Sequence, residues 1–257
     1  MKNLTIIIPV KEYDNSMDEL LNRAVKSCAD NNIILIGKNV GGYKYKNDDK
    51  SVKPNIRKIE NTTDNTSYQN NVNIAVDSVK TEYFSVLEYD DYFSDKWFNN
   101  VELQMEYDTE DIFCFLPLTE IVDYEDGKVL GYANEAVWAT SFSQDGAIGY
   151  LDIKGLSVYL NFNTSGGVFK TDEFIRLGGL KNSMKLVFWL EFLKRALYNG
   201  KLAYVIPKVG YYHMVNKEDS LTSMYAKEMS DKEVDWWVDL SDKEYFFKKD
   251  RNKTYEE

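Results

Sequence analysis

The 257-residue chain has a single histidine, His213, which excludes a histidine-rich zinc centre and leaves a Ser-His-Asp triad little support. Cysteine is almost as scarce. Cys28 and Cys114 lie inside apolar patterns and read as small core residues rather than a disulfide or a nucleophile. No apolar run approaches the ~18–20 residues that span a bilayer, so no transmembrane segment is expected. Leu4 to Val10 is too short for a signal peptide and contains Pro9. Together these point to a soluble, cytoplasmic protein. An excess of positive charge is also missing. The net charge of −11 argues against a nucleic-acid partner, which demands basic stripes that neutralise phosphates.

What is present is a core: 44% of residues are apolar and 14% aromatic, far from a disordered composition. The continuous run Leu4 to Val10 suits a strand buried on both faces of a parallel sheet. Ser16 with Glu19 reads as a capping box for a helix whose apolar positions run from Met17 to Cys28. Ile33 to Ile36 follows as a second buried strand, completing a βαβ unit that closes into a parallel sheet. Further on, the pattern predicts a strand around Ile56–Ile59, a helix over Ser67–Val79, a strand over Tyr83–Leu87, a helix from Ser94 to Met105 and a strand over Ile112–Leu118. Asp126-Gly127 marks a hairpin, and Gly131 to Asn163 reads as irregular. The strongest helix signal covers Ser183–Tyr198, closed by Asn199-Gly200, before a last strand over Ala203–Pro207. From residue 220 the tail reads as a helical extension, with Trp236, Trp237, Leu240 and Phe247 packing back on the body and a face available to a protein partner.

Three acids, Glu88, Asp90 and Asp91, stand at the end of the Tyr83–Leu87 strand, where open α/β sheets bind ligands. On an extended segment, side chains two apart point the same way, so Glu88 and Asp90 should converge while Tyr89 faces elsewhere. Close carboxylates repel unless a cation lies between them, and hard oxygen donors suit Mg²⁺ or Mn²⁺. The bland alternative is an acidic turn in which Asp91 or Ser94 caps the next helix.

Several segments, taken in order, resemble the family 2 glycosyltransferases of the GT-A fold. They are Thr5-Ile6-Ile7-Ile8-Pro9-Val10, Asn73-Ile74-Ala75, Val86-Leu87-Glu88-Tyr89-Asp90-Asp91, Gly166-Gly167-Val168-Phe169 and Leu177-Gly178-Gly179-Leu180. The likeness spans roughly residues 4–215, which implies a GT-A-like domain over 1–219 and an extension over 220–257. It implies a mostly parallel sheet flanked by helices, with a nucleotide-binding half and an acceptor half. It also implies transfer of a sugar, with inversion, from a nucleotide-diphosphate donor (a UDP-sugar favoured) to a saccharide acceptor. On that reading Glu88, Asp90 and His213 hold Mn²⁺ or Mg²⁺, and Pro9, Val10, Lys11, Glu12, Asn73 and Tyr89 border the nucleotide. Gly166, Gly167 and Trp189 face the acceptor, and Asp91 and Glu191 are catalytic, Glu191 as the base.

The chain departs from that pattern at informative places. Glu88 replaces the usual first aspartate, Gly37-Lys38-Asn39 lacks a nucleobase-binding aspartate, and Val72 replaces a frequent arginine. Phe188-Trp189 occupies the place of the acidic pair that the family carries seven residues before an arginine, leaving Glu191 as the nearest carboxylate. Glu191 could equally form an i,i+4 ion pair with Arg195, Trp189 could fill the core, and His213 could be structural. A second reading therefore stands beside the first, a fold kept for binding or assembly without catalysis. A nucleotidyltransferase is weaker, because no Gly-rich phosphate loop follows the first strand. The lysine-, asparagine- and tyrosine-rich composition is compatible with an AT-rich source, a phage or a low-GC bacterium; a phage protein would work in the host cytoplasm or on the virion.

Overall fold

The computed structural model describes residues 1, 3–46, 53–107, 111–139, 147–159, 162–217 and 228–247. Its first half is built from β1 (Leu4–Glu12), α1 (Asp18–Ser27), β2 (Asn32–Lys38), β3 (Asn55–Glu60), α2 (Tyr68–Val76) and β4 (Tyr83–Val86). β1 pairs in parallel with β2 and β4, and β2 with β3, as the βαβ pattern requires. The second half adds β5 (Tyr92–Phe93), α3 (Trp97–Tyr107), β6 (Ile112–Asp123), β7 (Val129–Ala133), α4 (Ile153–Val158), β8 (Val168–Lys170), α5 (Thr171–Arg176), α6 (Phe188–Tyr198), β9 (Leu202–Val215) and α7 (Asp231–Glu244). One mixed sheet results, in the order β3-β2-β1-β4-β8-β6-β9-β5, with β7 paired to β6 beyond the hairpin at Gly127.

β1 is buried from Leu4 to Val10, and apolar there apart from Thr5, because both faces of the sheet are covered. Ile7 joins a core with Val72 and Val76 of α2 and Leu190, Phe192 and Leu193 of α6. Ile6 and Ile8 point the other way, into a core with Leu21 and Val25 of α1 and Trp97 and Val101 of α3. Each fully buried side chain of this kind contributes about 1.5–3 kcal/mol relative to exposure, so the two layers fix the sheet and everything carried on its strand ends. Cys28 and Cys114 are buried free thiols in these cores, as their surroundings in the sequence imply.

Several boundaries differ from the sequence reading. The first helical segment is introduced by Asp14, not Ser16: the Asp14 carboxylate accepts the Ser16 N–H at 2.7 Å, and a short 3-10 turn precedes α1. α6 begins at Phe188 rather than Ser183. Buried Met184 is held by a hydrogen bond from the Gln69 side chain to its carbonyl, and Val187 adopts φ +49°. That left-handed, β-branched residue is a true outlier and blocks the helix from starting earlier. On α7 the buried face is Trp237 and Ser241, one helical turn apart, while Trp236 stays exposed and Leu240 is half-buried; Phe247, beyond the helix, is exposed. Among the described residues no helix is long and apolar enough to cross a membrane.

Candidate functional site

β4 lies between β1 and β8 and runs through Leu87 into a tight turn, in which the Asp91 N–H donates to the Glu88 carbonyl at 3.1 Å. Strand alternation stops there. The expected convergence of Glu88 with Asp90 is therefore replaced by convergence of Glu88 with Asp91, three residues apart across the turn. The β5–β9 register pairs Tyr92 with Tyr212, so the residues one step back and one step on, Asp91 and His213, face each other. One ligand-capable atom each from Glu88, Asp91 and His213 lies within 4.8 Å of the other two.

Each member is held by the fold. Asp91 is fully buried; one oxygen accepts the Met214 N–H at 2.8 Å and the other lies 2.9 Å from His213 Nδ1. Glu88 accepts a hydrogen bond from Ser165 Oγ at 2.7 Å, and its N–H donates to the Tyr211 hydroxyl at 3.1 Å. Tyr211 reaches that position only because residue 166 is glycine. A Cβ on Gly166 would stand 2.5 Å from the Tyr211 ring, and the backbone there has φ +77°. Gly166 is anchored by its N–H to the Val86 carbonyl at 2.9 Å and by Trp97 Nε1 to its own carbonyl at 2.8 Å. Gly167 is as tightly enclosed, since a Cβ would meet Leu116 at 2.7 Å.

The crowding shows in the acid–base behaviour. Burial, reinforced by the Asp91 charge, pushes the Glu88 carboxyl up to about 7. Burial and Asp91 also raise Asp90, opposed by Lys217. Burial works to lower His213, but the Asp91 hydrogen bond and the surrounding carboxylates outweigh it and carry the imidazole up to about 9. Tyr68, at the start of α2, feels the same charges: burial raises its phenol well above the ordinary value, and Glu88 adds to the effect. Glu88, Asp91 and His213 each bring one atom that could ligate a metal ion, the imidazole once it has lost its proton.

The other residues singled out in the sequence fall in several surroundings. Asp90 turns toward Lys217, 3.5 Å away, and Tyr89 receives a hydrogen bond from Lys217 Nζ at 2.6 Å. Pro9 and Val10 are buried at the end of β1, and the Val10 carbonyl accepts from Asn71 at 2.9 Å. Lys11 and Glu12 are exposed just beyond them. Asn73 is a buried tie between α2 and the Gly-Gly turn, donating to the Leu180 carbonyl and accepting the Leu180 N–H, both at 2.9 Å. Trp189 stacks on Phe169 with centroids 5.2 Å apart and also meets Phe174 and Phe192, inside an aromatic cluster. Glu191 is fully buried, with both oxygens bound by Arg195 at 2.9 Å and one of them 3.2 Å from Lys181.

Ser165, Tyr211, Lys217 and Tyr68 surround the acidic turn without having stood out in the sequence. One of them carried a readable signal: Tyr211 is two residues before His213 on a strand, so the two share a face.

No protein-family model matches the chain, and no curated protein matches it in sequence. Solved structures do match. S. aureus TarS residues 1–349 in complex with UDP-GlcNAc superposes with a TM-score of 0.61 at 12% identity, over 87% of this chain and 61% of that one. The same TarS fragment with UDP gives 0.60 at 13% identity, over 94% and 65%. Longer TarS gives 0.56 at 13%, over 98% and 45%. The chain thus spans about three fifths of the length of the TarS fragment it resembles. The shared architecture is a GT-A-like α/β fold, the kind expected from the order of sequence segments.

Proposed function

We propose that the chain is a nucleotide-sugar glycosyltransferase whose donor site is the turn Glu88–Asp91 with His213. The observation that carries this reading is the convergence of buried Asp91 with half-buried Glu88 and His213 at the end of a central strand. It is supported by the likeness of the sheet to TarS, which has been solved with UDP-GlcNAc and with UDP. Glu88, Asp91 and His213 would hold Mn²⁺ or Mg²⁺, and a divalent ion there would neutralise charge on the diphosphate of a UDP-sugar. A saccharide is the acceptor this reading implies. The test is calorimetric titration of UDP and GDP, with and without Mn²⁺, against wild type and Asp91→Asn. Mn²⁺-dependent UDP binding that vanishes in the variant is the expected result; well-folded wild type that binds neither nucleotide would overturn the reading.

One observation favours a second reading, a fold that binds without transferring. Inverting transfer needs a base free to accept the acceptor proton. Glu191, the carboxylate nearest the helix position used for this in the family, is sealed between Arg195 and Lys181. Incubation with UDP-GlcNAc separates the two: release of UDP with transfer to an oligosaccharide or to water supports the enzyme, while binding without UDP release supports the module.

A further inference from the structure

Two polar atoms near the acidic turn have no use within the chain. The Tyr68 hydroxyl, at the first position of α2, and the Trp189 indole N–H, in the first turn of α6, are shut off from solvent, and neither makes a hydrogen bond. Burying a donor without an acceptor opposes folding, and most buried polar atoms are paired. The rings that carry these two are firmly placed. Tyr68 meets Phe188 with centroids 5.5 Å apart, Trp189 stacks on Phe169 at 5.2 Å, and all four pack on the same core layer. Tyr68 and Trp189 are each half-buried, so the pair lies close to the surface.

The pair also lies close to the triad. Ser165, whose hydroxyl donates to Glu88, stands on the segment that leads directly into β8 and Phe169, the ring beneath Trp189. Of the charges that act on the Tyr68 phenol, Glu88 is the foremost and Asp91 follows, and the Trp189 N–H acts on the same phenol. The two donors are thus neighbours of each other and of the acids. Even a direct bond between them would use the indole proton and leave the phenol O–H without an acceptor.

What a ligand must offer here follows from charge. An anion would be repelled by Glu88 and Asp91, and a hydrocarbon would leave both donors unmade. An uncharged oxygen with two lone pairs, in a hydroxyl or a carbonyl, accepts both bonds. In a nucleotide-sugar whose diphosphate lies at the triad, the sugar is the part that follows the terminal phosphate, and it carries such oxygens.

We propose that Tyr68 and Trp189 form a two-donor subsite that binds one uncharged oxygen of the donor's sugar and so selects which sugar is held. This rests on the nucleotide-sugar reading above. It gives the indole edge of Trp189 to the donor's sugar rather than to the acceptor, while the ring stays in its aromatic cluster.

The test titrates UDP, UDP-GlcNAc and UDP-glucose, each with Mn²⁺ present, against wild type, Tyr68→Phe and Trp189→Phe, with thermal melts to confirm folding. Tyr68→Phe deletes an unpaired hydroxyl and nothing else, so it should melt no lower than wild type. Its affinity for a UDP-sugar should fall about three- to tenfold, while UDP, which lacks the sugar, changes by less than about twofold. A loss confined to one of the two sugars assigns the oxygen to the substituent at the ring's second carbon, where they differ; a loss for both assigns it to a hydroxyl they share. Trp189→Phe should show the same pattern, and a folded Trp189→Phe that binds as wild type would overturn the pairing of the two donors. If the smaller ring loosens the cluster and lowers the melt, Tyr68→Phe decides alone. Equal losses for UDP and the UDP-sugars, or affinities unchanged in folded Tyr68→Phe, would overturn the subsite and leave the nucleotide reading intact. So would wild type that binds UDP but neither UDP-sugar. Wild type that binds none of the three would remove both.

Discussion

Two groups of charge, one around α6 and α7 and one at the end of β4, are finished differently. Around α6 and α7, Glu191, Asp242 and Glu244 meet Lys181, Lys194 and Arg195, three acids against three bases. Every charged group there has a partner within the chain, and Arg195 adds hydrogen bonds to the Leu177 and Gly179 carbonyls. At the end of β4, Glu88, Asp90 and Asp91 meet two cationic partners among the described residues, His213 and Lys217. The first group closes on itself and the second is left with acid to spare. A closed network serves geometry, because it holds α6, the Gly178-Gly179 turn and α7 in one arrangement. An open one costs stability and is retained where something charged is to be bound.

The comparison is broken most directly at Arg195. Arg195→Met leaves Glu191 fully buried with Lys181 as its remaining basic partner, and removing one member of a buried pair costs about 3–5 kcal/mol. Urea denaturation of the variant should register that loss, and adding Glu191→Leu in the same chain should recover part of it. A loss below about 1 kcal/mol would mean that the α6 network is not what secures this end of the molecule. Because Glu191 would then be less committed than its contacts indicate, that outcome would also reopen its claim to be a base.

The open group makes the opposite prediction. The Glu88 carboxyl, raised to about 7 by burial and Asp91, binds its proton more tightly in the folded state than in the unfolded one. It therefore favours folding at low pH, and that contribution is lost as pH rises from the unfolded value near 4.5 through about 7. Glu88→Gln removes the penalty while keeping an acceptor for Ser165. In EDTA at pH 8 the variant should be more stable than wild type by about 1–2 kcal/mol, with the difference shrinking toward pH 5. Metal-dependent UDP binding should be lost at the same time. A variant less stable than wild type at pH 8 would show that Glu88 is as well compensated as Glu191, and the contrast between the two groups would fail.

The contrast also explains which parts could be read from the sequence. The βαβ start, the order of elements and both core layers were legible because they rest on periodicity: unbroken β-branched runs for strands covered twice, and helical stripes such as Leu190, Leu193 and Leu197. The site was legible as an acidic cluster at a strand end, with His213 as a companion. Its internal geometry was not. The alternation rule sends Glu88 and Asp90 to one side, but Glu88–Asp91 is a turn, and a turn re-aims side chains by backbone dihedrals that no spacing rule encodes. Lys217 and Ser165 come from distant segments brought in by β9 and by the approach to β8, so nothing local announces them. The start of α6 was missed for a related reason: residues 183–187 have a helical pattern, but Gln69 and buried Met184 impose another path. Glu191 illustrates the limit best. Its i,i+4 spacing to Arg195 was visible, whereas Lys181, its second basic partner, lies ten residues upstream, just after the Gly-Gly turn.

The smallest expected effect concerns how α7 joins the closed group. Lys194 is fully buried and directs its ammonium to Asp242 and Ser241 of α7, while Asp242 is 40% exposed. Solvent at the carboxylate screens the pair, so Asp242→Asn should cost less than loss of a fully buried partner, about 1 kcal/mol. Lys181 continues to hold the Glu244 carbonyl at 2.7 Å, and Trp237 remains packed, so α7 should stay docked. Limited proteolysis and urea denaturation read the two parts of this expectation separately. A modest loss with α7 still protected means the helix is held by several independent contacts and closes the network as one of its walls. Release of α7 from folded Asp242→Asn would mean instead that a single half-exposed ion pair governs docking; the closed group would then be a latch, and the balance of its charges would have to be read as a means of opening rather than of holding.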